Sequence, residues 1–340
     1  RVEPPENKSE CLLKFKKYEP SLLEADWRAN VHKYQKTVCA RINEQRAMFN
    51  SWVRYSILLA RDDSVALGPL GRDDAQAIAQ VMSRLHYTRE CPDEEPTPVV
   101  RLIEPLAGLN RHPWAACKGV GPPMNDRVLR LPPTKRSQLP AWLLSNDYLV
   151  LETAVDRPPE EIFPSRVAIA LDMGASLFDG SGGLAMGTSQ QWIVESYKKR
   201  GIIFDHYLAW EAQFYEPALV MSKIPNWLKP RYHWYNYGIS SDPESMSNPL
   251  NVLKQIATQD DFVVFKLDID HAATEIALVR QILADETLLS LIDEMFWEHH
   301  VVVEPMLEHW QDTVGDETLV DSFRIFHELR EKGIRMHGWP

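Results

Sequence analysis

Residues 167–213 read VAIALDMGASLFDGSGGLAMGTSQQWIVESYKKRGIIFDHYLAWEAQ, and their texture decides the fold. One apolar run, VAIAL, stops at Asp172 and Gly174, and a loop of small residues follows. SQQWIVESYKKRG then carries helical spacing, and a second apolar run, YLAW, closes on Glu211. The helix-like segment ends in bases and a glycine, which suit the negative end of the helix dipole and a left-handed cap. Short apolar runs alternating with helices imply parallel strands joined by crossover connections.

The same alternation extends on both sides. DYLVLETAV (147–155), RVAIALDM (166–173), FDHYLAW (204–210), YHWYNYGI (232–239) and DFVVFKLDI (261–269) read as strands. NPLNVLKQIAT (248–258), TEIALVRQILAD (274–285) and SFRIFHELREKG (322–333) read as helices. Residues 145–340 are therefore expected to form an α/β domain, a doubly wound, Rossmann-like and mostly parallel sheet. Upstream, residues 1–20 read as an extended polar arm and 21–92 as a helical N-terminal region. Its first part repeats Leu23, Trp27, Val31, Tyr34, Val38 and Ile42 at helical spacing, and a second helix is expected in GRDDAQAIAQVMSRLHY (71–87). These helices would pack on the α/β domain or receive a protein partner. Residues 93–144 are proline-rich and read as a linker that wraps the next domain, with RLIEPLAGLNRHPWAACKG (101–119) as a packed segment or a contributor to a site.

Bulk properties narrow the function. The chain has 340 residues, 44% of them hydrophobic, enough for a sizeable core. Its formal net charge of -11 argues against a nucleic-acid partner, since phosphate neutralisation relies on basic surface. No uninterrupted apolar segment approaches the roughly 18 residues needed to cross a bilayer, so no transmembrane segment is expected. The chain opens on Arg1 rather than Met, and a leader, an anchor or an artificial chain end is the expected reason. Cys11, Cys39, Cys91 and Cys117 lack C-x-x-C spacing, which disfavours a zinc ribbon. They fit two disulfides in the secretory pathway or an organelle lumen, or equally four buried thiols in the cytoplasm. Asn7-Lys8-Ser9 is a glycosylation sequon.

In a sheet of this kind, ligands bind outside the carboxyl ends of the strands, where strand order reverses. Asp172, Gly174 and Ser176 follow one such end, and the glycine would let the backbone approach a ligand. Glu211 ends the next run and could accept hydrogen bonds from two ribose hydroxyls. The two acids are 39 residues apart, against about 20 in the dinucleotide fingerprint. A strict G-x-G-x-x-G is absent, which counts against a nicotinamide cofactor. Farther on, the two-residue period sends Lys266, Asp268 and Asp270 to one side of their run, with His271 on the other. Three charges beside so apolar a strand mark a site edge. FWEHHVVVEP (296–305) offers Glu298, His299 and His300 as a general base or metal ligands.

Acid-x-Gly-Ala-Ser after one strand and Trp-Glu after the next resemble the S-adenosylmethionine site of class I Rossmann-like methyltransferases. DFVVFKLDIDHAATEIALVRQI resembles the FkbM-type segment Lys-Ile-Asp-Val-Glu-Gly-Ala-Glu, with Lys266, Asp268 and Asp270 in the places of its lysine and first two acids. WYNYGISS (234–241) is similar to the third strand of that family. The same half resembles uncharacterised algal and oomycete proteins with DxGAS, YAWE, KLDID and EHH blocks. The resemblance covers residues 145–340, with two departures: His271 replaces the family's glycine, and Ala273 stands where it has its next Glu.

The resemblance implies S-adenosylmethionine-dependent O-methyl transfer to a small-molecule or sugar (glycan) hydroxyl. Asp172, Gly174 and Ser176 would hold the methionine end, with Asp270 also on the cofactor side, and Glu211 the ribose. Asp268 would face the transfer centre, and His271 or His299 would take the proton. Asp-x-Asp after an apolar strand also holds Mn2+ or Mg2+ in nucleotide-sugar glycosyltransferases, which makes Asp268, Asp270 and His300 an alternative metal set. A non-catalytic descendant in an extracellular or organellar assembly is the third expectation.

Overall fold

The computed structural model describes residues 12–60, 72–92, 94–113, 117, 146, 148–152, 167–180 and 189–339. Its centre is a six-stranded sheet of β4 (Ala168–Met173), β5 (His206–Trp210), β6 (Tyr232–Tyr235), β7 (Phe262–Leu267), β8 (Glu294–Trp297) and β9 (Arg335–Gly338). The spatial order is β6-β5-β4-β7-β8-β9 and every pairing is parallel. The connections carry α5 (Ser189–Lys199), α6 (Pro217–Lys223), α7 (Pro249–Ile256), α8 (Ala272–Ala284), α9 (Glu286–Leu291), α10 (Leu307–Trp310) and α11 (Leu319–Glu331). This arrangement is consistent with a Rossmann-like α/β fold.

The strands form where they do because both faces are covered. Every residue of β4, β7, β8 and β9 is buried, which explains their near-continuous apolar runs. Three acids set the near edge of the sheet. Asp205 accepts from the Ala168 N–H, Asp261 from Val167 and Asp293 from Val263, at 3.0, 3.2 and 2.8 Å. Asp205 thus anchors a strand start, as its position before the run implies.

The N-terminal part departs from the helical expectation. It contains α1 (Leu22–Tyr34), α2 (Val38–Glu44), α3 (Arg46–Ala60) and α4 (Arg72–Val81), but also an antiparallel sheet of β1 (Leu12–Glu19), β2 (Ser83–Glu90) and β3 (Thr97–Ile103). The described end of the expected arm is thus a paired strand. The second helix stops at Val81 because Ser83 and Leu85 alternate inward and gain partners on both sides. Residues 97–103 of the expected linker are likewise a strand. Residues 1–11 with the sequon, 93, 114–116 and 118–144 of the linker, and 181–188 of the glycine-rich loop lie outside the described residues.

The expected strand at 147–155 is not one over its described part, 148–152. Its backbone is served by side chains instead of a ladder. Val150 N–H donates to Glu104, Glu152 N–H to Glu294, and Arg335 donates to the Val150 carbonyl.

A single apolar core joins the two parts. Trp27 is fully buried, stacks on Phe323 of α11 at 6.2 Å and donates to Gln45. Residues 104–110 are buried and cross the end of β9. A Cβ on Gly338 would stand 1.7 Å from the Asn110 carbonyl oxygen, so glycine is what permits that crossing. Beneath it lies a belt of buried charge. Arg330 donates to the carbonyls of Met336 and Glu104, to Tyr18 and to the carboxylates of Glu24 and Glu104. His337 bridges Glu104 and Glu294, each at 2.7 Å. Cys39 and Cys117 form a disulfide that closes 78 residues, and Cys91 is disulfide-bonded as well.

Candidate functional site

Strand order reverses between β4 and β7, and the carboxyl ends of these strands collect most of the residues singled out in the sequence. Asp172 and Lys266 are register partners, so their side chains share one face. Lys266 is buried and lies 3.2 Å from Asp172 and 3.0 Å from Asp268, and it also donates to the Gly174 carbonyl at 2.9 Å. The Tyr207 hydroxyl donates to the other Asp172 oxygen at 2.8 Å. Asp172 is therefore an internal anion that holds its neighbouring strands, and its carboxylate does not reach the surface. Burial works against the Lys266 charge, but the two carboxylates outweigh it and hold the ammonium above its ordinary range. Asp268 keeps a fifth of its side chain exposed. Burial raises its carboxyl well above the usual range, opposed by Lys266 and reinforced by Glu298 and Glu275.

Gly174 has φ +82°, and a Cβ there would stand 1.6 Å from the Asp268 carbonyl oxygen. The close approach expected of a ligand is made by the neighbouring strand's own backbone. Ser176, at φ +55°, donates its N–H to Glu211 at 2.9 Å, while Gln213 N–H donates to the other Glu211 oxygen at 2.7 Å. Gln190, fully buried in α5, donates to the carbonyls of Ala175 and Ser176 and accepts from Tyr232. Sequence reasoning placed Gln190 only at a helix start. A solitary glutamine carries no periodic signal for its role as a loop clamp.

The residues present fit a nucleoside at this edge in one respect. A carboxylate offers about four acceptor directions, and the half-buried Glu211 uses two, which leaves two for a ribose diol. Asp172 fits only indirectly, through the loop that it and Lys266 position.

The cluster beyond β8 divides. Trp297 pairs with Leu267, so Glu298, His299 and His300 begin just past the strand, beside the Asp268 end. His299 is buried and stacked 3.9 Å from Trp297, and burial pushes its imidazole down to about 3. It lines a small pocket with Asn110, Arg111 and Trp310, and its lowered imidazole makes it a poor proton acceptor. His271 is the exposed N-cap of α8, and its Nδ1 accepts from Thr274 N–H.

His300 turns the other way, with Nε2 3.4 Å from Glu298 and 3.8 Å from Asp270. Burial lowers its imidazole, but Glu298, Glu275 and Asp270 together raise it above its ordinary range. Glu298 is also held by Arg111 and by Trp310, each at 3.0 Å, and its carboxyl stays well below the usual range despite burial. One ligand atom from each of Asp270, Glu298 and His300 lies within 4.8 Å of the others. The expected metal set of Asp268, Asp270 and His300 is thereby changed: Asp268 faces Lys266, and Glu298 takes its place. Asp270 reaches the cluster from a left-handed conformation, φ +55°, in the turn between β7 and α8. Arg111, the neighbour of Glu298, comes from residues 101–119, the segment read as packed or as a contributor to a site.

Among the described residues, no helix is long and apolar enough to cross a membrane. No protein-family model matches the chain, and no curated protein or solved structure matches it.

Proposed function

We propose that the parallel sheet is a doubly wound, Rossmann-like domain that binds S-adenosylmethionine at the carboxyl edge of β4, β5 and β7 and methylates a hydroxyl of a small molecule or glycan. The observation that carries the reading is the meeting of three acidic strand ends, Asp172, Glu211 and Asp268, around the reversal between β4 and β7. The bound cofactor supplies an electrophilic methyl group for in-line displacement, so the protein's work is alignment and removal of a proton.

The division of labour follows from the contacts. Lys266 and Asp172 hold the β4 loop, and Gln190 fixes its carbonyls. Glu211 ties Ser176 to β5 and directs its remaining acceptor positions outward to a diol. Asp268, partly exposed and shifted toward neutral pH, is the group that accepts the proton of the acceptor hydroxyl. His271, exposed at the start of α8, is the second candidate for that proton. The Cys39–Cys117 disulfide supports a secretory-pathway or organelle-lumen setting.

Calorimetric titration of the purified chain with S-adenosylmethionine and S-adenosylhomocysteine tests the reading, alongside Glu211→Gln. Micromolar binding, about -8 kcal/mol, that weakens at least tenfold in the variant is expected. The absence of both heat and a thermal shift with the wild-type chain would overturn it.

A further inference from the structure

We propose that Asp270, Glu298 and His300 form a binding site for a divalent transition cation of the Mn2+ or Zn2+ class. Two acids near one another would not carry this proposal, but the orientation of the histidine beside them does. The His300 side chain is 2% exposed, and its Nε2 makes no hydrogen bond although both carboxylates stand before it. Its other nitrogen is engaged. The Thr313 hydroxyl gives its only hydrogen to the Trp310 carbonyl at 2.6 Å, so at 2.6 Å from His300 Nδ1 it can only accept. Nδ1 therefore carries a hydrogen, and Nε2, the nitrogen that faces Asp270 and Glu298, is the one that a cation would take in place of a proton. A metal-ligating histidine is ordinarily oriented in this way, with its far nitrogen donating to a fixed partner.

The rest of the geometry agrees. Trp310 stacks on the imidazole at 4.9 Å and keeps the ring from turning. Arg111 and Trp310 occupy Glu298 Oε1, while Oε2 is the atom facing His300. The 3.4 Å between Nε2 and Oε2 matches two ligands at a tetrahedral angle on a metal with bonds of about 2.1 Å. The Asp270 side chain is 71% exposed and can close the remaining gap by a rotamer change. One imidazole among two carboxylates favours Mn2+ or Zn2+ over Ca2+ or Mg2+, which prefer an all-oxygen set. The exposed Asp270 side leaves coordination positions open to water or to an oxygen of a bound ligand.

This site stands independently of the S-adenosylmethionine reading, and its test requires no cofactor. The chain is freed of metal with EDTA and titrated with Mn2+ while the free-ion electron paramagnetic resonance signal is followed, with Zn2+ as competitor. One site per chain with micromolar affinity is expected, weakened at least tenfold in Asp270→Asn and at least a hundredfold in His300→Ala. Asp270→Asn is the control for folding, because its exposed side chain supports no core contact. Binding weaker than millimolar, or binding that neither substitution alters, would overturn the proposal.

Discussion

Two regions of this protein bury charge at the end of a strand, and they balance it differently. At the junction of the N-terminal layer with β9, Glu24, Glu104, Glu152 and Glu294 meet Arg101, Arg330, Arg335, His327 and His337, four acids against three arginines and two histidines. At the carboxyl edge of β4, β7 and β8, Asp172, Asp268, Asp270, Glu275 and Glu298 have Lys266 and Arg111 as permanent cations, with His300 between two of the acids. A balanced network has a structural explanation within itself. An acidic excess, with the Asp268 and Glu275 carboxyls raised by burial and an imidazole nitrogen left without a hydrogen bond, marks a place prepared for something else.

The largest expected effect breaks the balanced side. Arg330→Met removes the guanidinium that serves Glu24, Glu104, Tyr18 and the Met336 carbonyl, leaving two carboxylates buried with diminished compensation. A loss of about 3–5 kcal/mol is expected in urea unfolding. A loss below about 1 kcal/mol would show that the belt does not hold the two layers together, and the contrast between the regions would fail.

A smaller effect sharpens the comparison through pH. His337 is fully buried and faces Glu104 and Glu294, with Arg330, Arg335 and Tyr197 beyond them. Burial opposes its charge, but the two carboxylates raise its imidazole above the ordinary value. Its contribution is therefore complete below about pH 6.5, the unfolded value, and is lost as pH rises through the raised folded one. Glu104 runs the opposite way. Burial pushes its carboxyl up, yet His337 and Arg330 hold it down at about 2, so its contribution is present above the unfolded value and is lost as pH falls toward 2. Melting temperatures of the wild-type chain should decline from neutral into alkaline pH, and His337→Asn should flatten that limb. An alkaline limb identical in the two proteins would place the titration elsewhere.

How much of this was legible in the sequence follows from the same physics. VAIALDM, FDHYLAW and DFVVFKLDI announced themselves because strands buried on both faces must be apolar along their length. KFKKYE and SRLHYTRE did not, since their antiparallel strands leave polar side chains in water and are stabilised by partners distant in sequence. RMHG could not be read as a buried strand at all. Its Arg335 and His337 enter the core only because Glu104 and Glu294 receive them. DYLVLETAV misled for the converse reason, because its apolar residues are buried without a ladder. At the edge, Asp270, Glu298 and His300 were visible as residue types near strand ends. Arg111, Gln190 and Thr313 were not, because a lone polar residue gives no pattern from which to infer what it orients.

The smallest expected effect tests the acidic side. Asp270 is exposed and, among the described residues, its contact is with His300 at 3.8 Å, too long for a hydrogen bond. Asp270→Asn should change unfolding stability by no more than about 0.5 kcal/mol without added metal, since surface substitutions away from a structural feature fall in that range. With saturating Mn2+ the two proteins should separate, because a ligand that binds only the folded state stabilises it in proportion to its affinity. A residue retained for structure would show its effect in the first measurement, and one retained for binding shows it only in the second. A large loss without metal would mean that the left-handed turn at Asp270, φ +55°, depends on its own carboxylate, and the acidic edge would then be as structural as the belt beneath β9.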